Sequence, residues 1–324
     1  MAKILVTGGA GYIGSHVLEL LRSSGFECVV IDNLSTGHKD ALLGAELYEG
    51  DIQDTKLVKK VFADHPEIYS AIHFAGSIIV PESVEKPIKY YENNFSNGMR
   101  FLETAMECGL KNLIFSSTAA VYGEKSDGVC VETDQPAPMN PYGHSKLMFE
   151  TLLKDLDHIN KIKFIALRYF NVAGASSSGK LGQRSKQSTH LLKIACETAV
   201  GKHEKMSIFG SDYPTPDGTC IRDYIHIEDL ASAHRDALKY LMDGGDSHIL
   251  NCGYGKGTSV IEMLDALRKE VGVDFVAEMA DRRPGDAPKL MAKVDKIKQV
   301  LGWEPKFDDL ALIARSAYEF EKNL

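Results

Sequence analysis

The sequence has no apolar run long enough to cross a membrane, because charged residues interrupt its hydrophobic stretches well short of the roughly 20 residues a spanning helix needs. It also lacks positive charge in excess. With 37 Lys and Arg against 45 Asp and Glu the net charge is -8, which argues against a broad nucleic-acid-binding face and points to small-molecule partners. Lys3 leads straight into ILVTGG without the layout of a signal peptide, so a cytoplasmic protein is expected. Cysteine is sparse: Cys28, Cys108, Cys130, Cys196, Cys220 and Cys252 stand singly, and no CxxC pair marks a redox motif or zinc knuckle. HExxH is absent among the 11 histidines, and no metal is assigned. Against these absences stand 44% apolar and 25% charged residues over 324 positions, an ordinary globular composition with length enough for two domains.

Short β-branched runs alternate with amphipathic stretches in the first half. KILVT, CVVID, ELYEG, SAIHFA, NLIFSS and KFIALRYFN read as strands. YIGSHVLELLRSSG, TKLVKKVFADH and the segment from Pro81 to Cys108 read as helices. Such a βαβα order predicts an α/β fold, a doubly wound parallel sheet of Rossmann type, with a smaller mixed α/β domain. The Gly- and Ser-rich stretch VAGASSSGKLGQRSKQST after Asn171 reads as the loop by which the chain leaves the sheet. Residues 1–171 are expected to form the first domain, with RDYIHIEDLASAHRDALKYL in a return segment, 219–244; residues 172–218 and 245–324 are expected to form the second.

TGGAGYIGSH follows the first strand and opens the first helix, with Gly8, Gly11 and Gly14 at three-residue spacing. Glycines let a backbone approach a pyrophosphate, and the helix N-terminus offers N–H groups to the anion. Asp32 ends the second strand, where a carboxylate bonds a ribose diol and repels a 2′-phosphate, so NAD is expected rather than NADP. Asp51 and Ile52, after the third strand, are either adenine contacts or a plain turn.

In NPYGHSK, Tyr142 and Lys146 lie four residues apart behind Pro141, on one face of a predicted helix. A phenol titrates near 10 and is a poor base at neutral pH unless a positive charge favours its anion, which a lysine one turn on supplies. Ser116, Ser117 and Thr118 end the fifth strand at the carboxyl edge of the sheet, where ligands bind in such folds. Each hydroxyl either meets a substrate or bonds its own backbone, and for Ser116 and Ser117 the latter is expected.

TGGAGYIGSH, DNLS, HFAG, SSTAAVYG, NPYGHSK, RYFNVAGA and GTCIRDYIH together resemble the extended short-chain dehydrogenase/reductase family, and within it the UDP-sugar 4-epimerases, over nearly the whole chain. The resemblance implies Tyr142 as base, Lys146 as its electrostatic and ribose-binding partner and Thr118 as the hydroxyl at the sugar's O4. It implies NAD contacts from Gly8, Gly11, Tyr12, Ile13, Gly14, Asp32, Asn33, Asp51, Ile52, Phe74, Ala75, Asn93, Lys146 and Tyr169. On the UDP-sugar side it implies Asn171, Arg222 and Arg283 at the diphosphate and Phe209 near the uracil, with His190, Asp286 and Leu290 also lining the site. It further implies a homodimer. Two positions depart from the pattern: Ile78 stands where many members carry a lysine, and His190 where some carry asparagine.

The implied activity is reversible 4-epimerisation through a 4-keto sugar with retained NAD. Dehydration needs an acid beside Thr118, and Ala119 and Ala120 occupy those positions. Leu290, intermediate in size at the position beside the sugar's 2-substituent, leaves UDP-N-acetylhexosamines open as substrates. UDP-uronic acids and a non-catalytic NAD-binding regulator are the remaining alternatives.

Overall fold

The computed structural model describes residues 3–185, 188–283 and 286–324. Lys186 and Gln187 of the Gly/Ser-rich stretch, and Pro284 and Gly285 of RRPGDAPKL, lie outside the described residues. In chain order the first half runs β1 (Lys3–Thr7), α1 (Tyr12–Ser23), β2 (Glu27–Asp32), β3 (Glu46–Glu49), α2 (Thr55–Asp64) and β4 (Ile68–His73). It continues with α3 (Val80–Glu85), α4 (Pro87–Tyr90), α5 (Asn97–Glu107), β5 (Asn112–Thr118), β6 (Val129–Cys130), α6 (Pro141–His158) and β7 (Lys163–Tyr169). There follow β8 (Asn171–Ala173), α7 (Leu191–Ala199), β9 (Lys205–Phe209), β10 (Ile221–Arg222), β11 (Tyr224–His226) and α8 (Ile227–Met242). The last part holds β12 (His248–Cys252), β13 (Thr258–Ser259), α9 (Val260–Val271), β14 (Val276–Ala280), β15 (Lys289–Ala292), α10 (Asp295–Leu301) and α11 (Leu310–Lys322).

Seven strands form one parallel sheet in the order β12-β7-β5-β4-β1-β2-β3. Both faces are covered, as continuous apolar strands require. Ile4 and Val6 point to the side packed by Val17, Leu18 and Leu21 of α1 and by Leu230, Ala237 and Leu241 of α8. Leu5 points to the other, with Val58 and Val61 of α2, Phe101 and Leu102 of α5, and Phe149 and Leu153 of α6. The doubly wound α/β fold is therefore present, and its strand order reverses between β1 and β4, which opens a ligand crevice at the carboxyl edge.

The smaller sheets are β13-β10-β15-β6, β11-β8 and β14-β9, and a separate core of Leu192, Ile208, Met263, Leu267 and Ile313 lies among α7, α9 and α11. Three expectations change in detail. β12 falls in the range assigned to the second domain, yet it pairs with β7 over five residues, because the buried backbone of LNC at its end completes the open edge of the large sheet. The stretch after Phe170 begins as a strand, β8, held by β11, before it becomes loop. The helix expected from Pro81 to Cys108 breaks at Lys86, which Pro87 holds out of the α region (φ -128, ψ 60), and then winds through a π-helical segment, Tyr91–Ser96.

Candidate active site

Gly8 has a φ of +72, and a Cβ there would lie 2.6 Å from the Ala75 backbone nitrogen; at Gly14 it would lie 2.3 Å from the Gly8 carbonyl oxygen. Only glycine lets the turn sit this close to β4 and to its own helix. α1 starts at Gly11 with no side-chain cap and no acid in its first turn, so its N–H groups and positive end face a cleft lined by Ala10, Tyr12, Ser15 and Thr36. Asp32, buried, accepts the Ala10 N–H at 2.9 Å and the Leu34 N–H at 2.8 Å, which leaves half of its carboxylate lone pairs for a diol. Asn33 and Asp51 meet beside it (3.2 Å), and Ile52 is buried. This uncapped helix end, glycine turn and carboxylate fit a dinucleotide without a 2′-phosphate.

Across the crevice Phe74 leads to Ala75, its ring 4.9 Å from that of His234, and Asn93 donates to the Ser77 hydroxyl at 2.8 Å. Ile13 packs against the core from the first turn of α1. Tyr12 commits its hydroxyl to the Gly174 carbonyl (2.6 Å), so it ties the glycine turn to the loop after β8.

α6 is started by Asn140, whose side chain accepts the Gly143 N–H at 2.9 Å, with Pro141 as its first residue. That start turns Tyr142, Lys146 and their common face into the protein. Burial raises the Tyr142 phenol above its ordinary value, and the neighbouring Thr118 hydroxyl pulls the other way. Lys146 is buried, donates to the Ser116 carbonyl at 2.9 Å and lies 5.0 Å over the Phe115 ring; desolvation pushes it down to about 8. Its ammonium has three donors, so among the described residues two remain for ligand hydroxyls. The same four-residue spacing recurs at Tyr318 and Lys322 on α11, where the lysine lies 6.0 Å over the ring in the second core. Spacing alone does not make the site.

Ser116 and Ser117 do not bond their own backbone, contrary to expectation. The Ser116 hydroxyl meets the Tyr169 hydroxyl, and the Ser117 hydroxyl donates to Glu150 on α6, because β5 is flanked by β7 and roofed by that helix.

The residues expected on the UDP-sugar side fall into two groups. Arg222 and Arg283 both face Asp286, at 3.5 and 3.1 Å, and the Arg283 guanidinium stacks 4.7 Å over the Phe209 ring. Leu290 is the register partner of Arg222 and packs towards Ala119, Val121 and Phe170. Asn171 and His190 line a separate small cleft with Tyr224 and Gln183; burial lowers the His190 pKa and keeps it neutral. Tyr224 on β11 pairs with Asn171 on β8, which connects the two groups through Asp223.

Sequence reasoning missed Asn94, which accepts the Ser77 N–H (2.7 Å) and donates to the Ser145 hydroxyl (3.1 Å), pinning the π-helical segment to α6. It also missed Tyr90, edge-on to Tyr142 with centroids 6.4 Å apart. No motif in YYENNFS announces a π turn, although such turns recur at functional sites.

A family model described as the NAD dependent epimerase/dehydratase family matches residues 4–253. The UDP-glucose 4-epimerase of Azospirillum brasilense is 50% identical over 324 residues, 99% of this chain and 92% of that protein. The crystal structure of UDP-glucose 4-epimerase from Brucella ovis in complex with NAD has a TM-score of 0.96 at 40% identity, covering 99% of each chain. The UDP-Glc/GlcNAc 4-epimerase from Campylobacter jejuni has a TM-score of 0.87 at 47% identity over 100% of both. With these likenesses spanning the glycine turn, Asp32 and the Tyr142 helix alike, the chain belongs to the NAD dependent epimerase/dehydratase family.

Proposed function

We infer that this chain interconverts UDP-glucose and UDP-galactose by inverting C4 of the hexose, with NAD as a recycled cofactor. The observation that carries this is the pair of buried side chains Tyr142 and Lys146 on one face of α6, with Lys146 held at the Ser116 carbonyl at the carboxyl edge of the sheet that also bears the glycine turn and Asp32. Thr118 holds the sugar's O4, and Tyr142 removes the O4 proton and returns it to the opposite epimer. Lys146 holds the cofactor ribose and keeps positive charge near the phenol. When bound, NAD supplies the hydride acceptor for C4 and an oxidised, cationic ring that favours the phenolate. Arg222 and Arg283 grip the diphosphate with planar forks, and Asp286 holds both oriented. Phe209 under Arg283 offers a flat surface to the uracil. A 4-keto sugar must show either face to one acceptor, so tight UDP contacts and loose hexose contacts belong together. Ala119 and Ala120 beside Thr118 offer no acid for dehydration.

The division of labour follows: residues of 1–171 with the return segment from 219 hold NAD, and the smaller sheets hold the UDP-sugar. Leu290 beside Arg222 leaves room for a 2-acetamido group, and the Campylobacter jejuni neighbour is titled an enzyme of both UDP-Glc and UDP-GlcNAc. Proton NMR of the purified protein with UDP-galactose or UDP-N-acetylgalactosamine, without added NAD, tests both statements. Conversion of both is expected, to UDP-glucose and UDP-N-acetylglucosamine. Turnover of UDP-galactose alone would reject the wider specificity, and no change in either tube after NAD is added would reject the epimerase.

We also infer a homodimer formed through α3 to α6, because Val84 (60% exposed), Ile88 (78%), Met99 (40%) and Met148 (39%) leave that side of the protein apolar. Sedimentation should give a dimer, and Ile88→Glu a monomer; a monomeric parent protein would reject it.

A further inference from the structure

The helix that carries Tyr142 and Lys146 bears a third ionisable residue on the same face, one turn further on. Glu150 is fully buried. Its carboxylate accepts Arg168 Nε at 2.9 Å, Arg168 Nη2 and the Ser117 hydroxyl. Ser117 on β5 and Arg168 on β7 are register partners, and each directly precedes a residue of the site, Thr118 and Tyr169. Arg168 lies 4.7 Å over the Tyr122 ring, whose hydroxyl continues to Asn251 at 2.7 Å.

Stability is a poor account of such a pair, since desolvating two charges offsets most of their attraction. Geometry is a better one. Two successive residues of β5 engage two successive turns of α6, the Ser116 carbonyl taking Lys146 and the Ser117 hydroxyl taking Glu150, and the next residue, Thr118, is the neighbour that draws the Tyr142 phenol back from the full effect of burial. A guanidinium gripping a carboxylate in two places tolerates little sliding, whereas the apolar contacts of Phe149 and Leu153 on the same helix tolerate more. One residue of slip along α6 is about 1.5 Å, enough to part both rungs and to carry Tyr142 away from Thr118.

We propose that Glu150, clamped by Arg168 and Ser117, is a positioning residue that sets how deeply α6 seats against β5 and β7, and thereby aligns Tyr142 and Lys146 for proton transfer. The proposal rests on the catalytic assignment of Tyr142. Its test is the double variant Glu150→Leu with Arg168→Met, which removes both charges and leaves neither unpaired, alongside Glu150→Gln and Tyr142→Phe. Folding is followed by circular dichroism, kcat and KM by UDP-galactose turnover, and the Tyr142 titration by tyrosine-ring NMR. The folded double variant should lose about 100-fold in kcat at unchanged KM, the scale of a misplacement near 1 Å, and its Tyr142 titration should shift from the parent's as the ring and Lys146 leave their places. A folded double variant that keeps the parent kcat or the parent titration overturns the proposal, and Glu150→Gln is read in the same way if the double variant does not fold. Failure of both to fold at low temperature also overturns it, because the pair would then serve folding as a whole. An active Tyr142→Phe protein would instead remove the catalytic assignment beneath it.

Discussion

Tyr142→Phe should fold, bind NAD and UDP-sugar, and lose about 1,000-fold in kcat, the middle of the range for removing a positioned general acid-base group. The ring stays, so its edge contact with Tyr90 and its place in the first turn of α6 are kept. KM should change little, because the arginines and Asn171 are untouched. Other phenols nearby cannot substitute. Burial pushes both Tyr90 and Tyr169 well above their ordinary values; the Tyr90 hydroxyl donates to the Ile79 carbonyl (2.6 Å) and faces the Glu82 carboxylate, which favours the neutral phenol, while Tyr169 is engaged with Ser116. Burial raises Tyr142 too, but its hydroxyl is not tied to a carbonyl or a serine among the described residues as those of Tyr90 and Tyr169 are. Turnover of UDP-galactose followed by NMR checks this, and a folded variant within tenfold of the parent rate would assign the proton transfer elsewhere.

The parts of this site legible in the sequence are those made by local rules. A glycine at positive φ, an uncapped helix end, an acid closing a strand and a Tyr-Lys pair behind an Asn-Pro start each need only a few neighbouring residues, and each is found beside the crevice. The arginines behave differently. Arg222 and Arg283 read as ordinary surface charges until the fold brings Asp286 between them and Phe209 beneath one. The Glu150, Arg168 and Ser117 contact joins three elements that only the parallel register of β5 with β7 sets side by side. Ser117 was therefore expected to serve its own backbone, since nothing within a few residues offers its hydroxyl a carboxylate. β12 escaped for a related reason: HILNC is short, and its membership in the large sheet depends on β7 having a free edge.

Lys146→Met separates catalysis from stability, because the two should move in opposite directions. The ammonium is buried, and desolvation pushes its pKa from 10.5 down to about 8 in the folded protein. An unfolded chain protonates this lysine below about 10.5 and the folded chain only below about 8, so between those values the unfolded state holds the extra proton and stability rises with pH. Below about 8 the folded state carries the full penalty, about 3 kcal/mol at roughly 1.4 kcal/mol per pKa unit. Methionine removes that penalty but leaves the Ser116 carbonyl without its donor, which costs about 1 kcal/mol. Protein stripped of NAD should therefore gain about 2 kcal/mol at pH 7, a rise in Tm of several degrees, and the gain should vanish as the pH approaches 10. Activity should fall at least 100-fold, since a preorganised charge beside the reacting groups is lost. Thermal unfolding of parent and variant across that pH range reads the first effect and UDP-galactose turnover the second. A variant less stable than the parent at pH 7 would mean that Lys146 is held by contacts stronger than its desolvation, and a variant that stays active would remove it from the reaction.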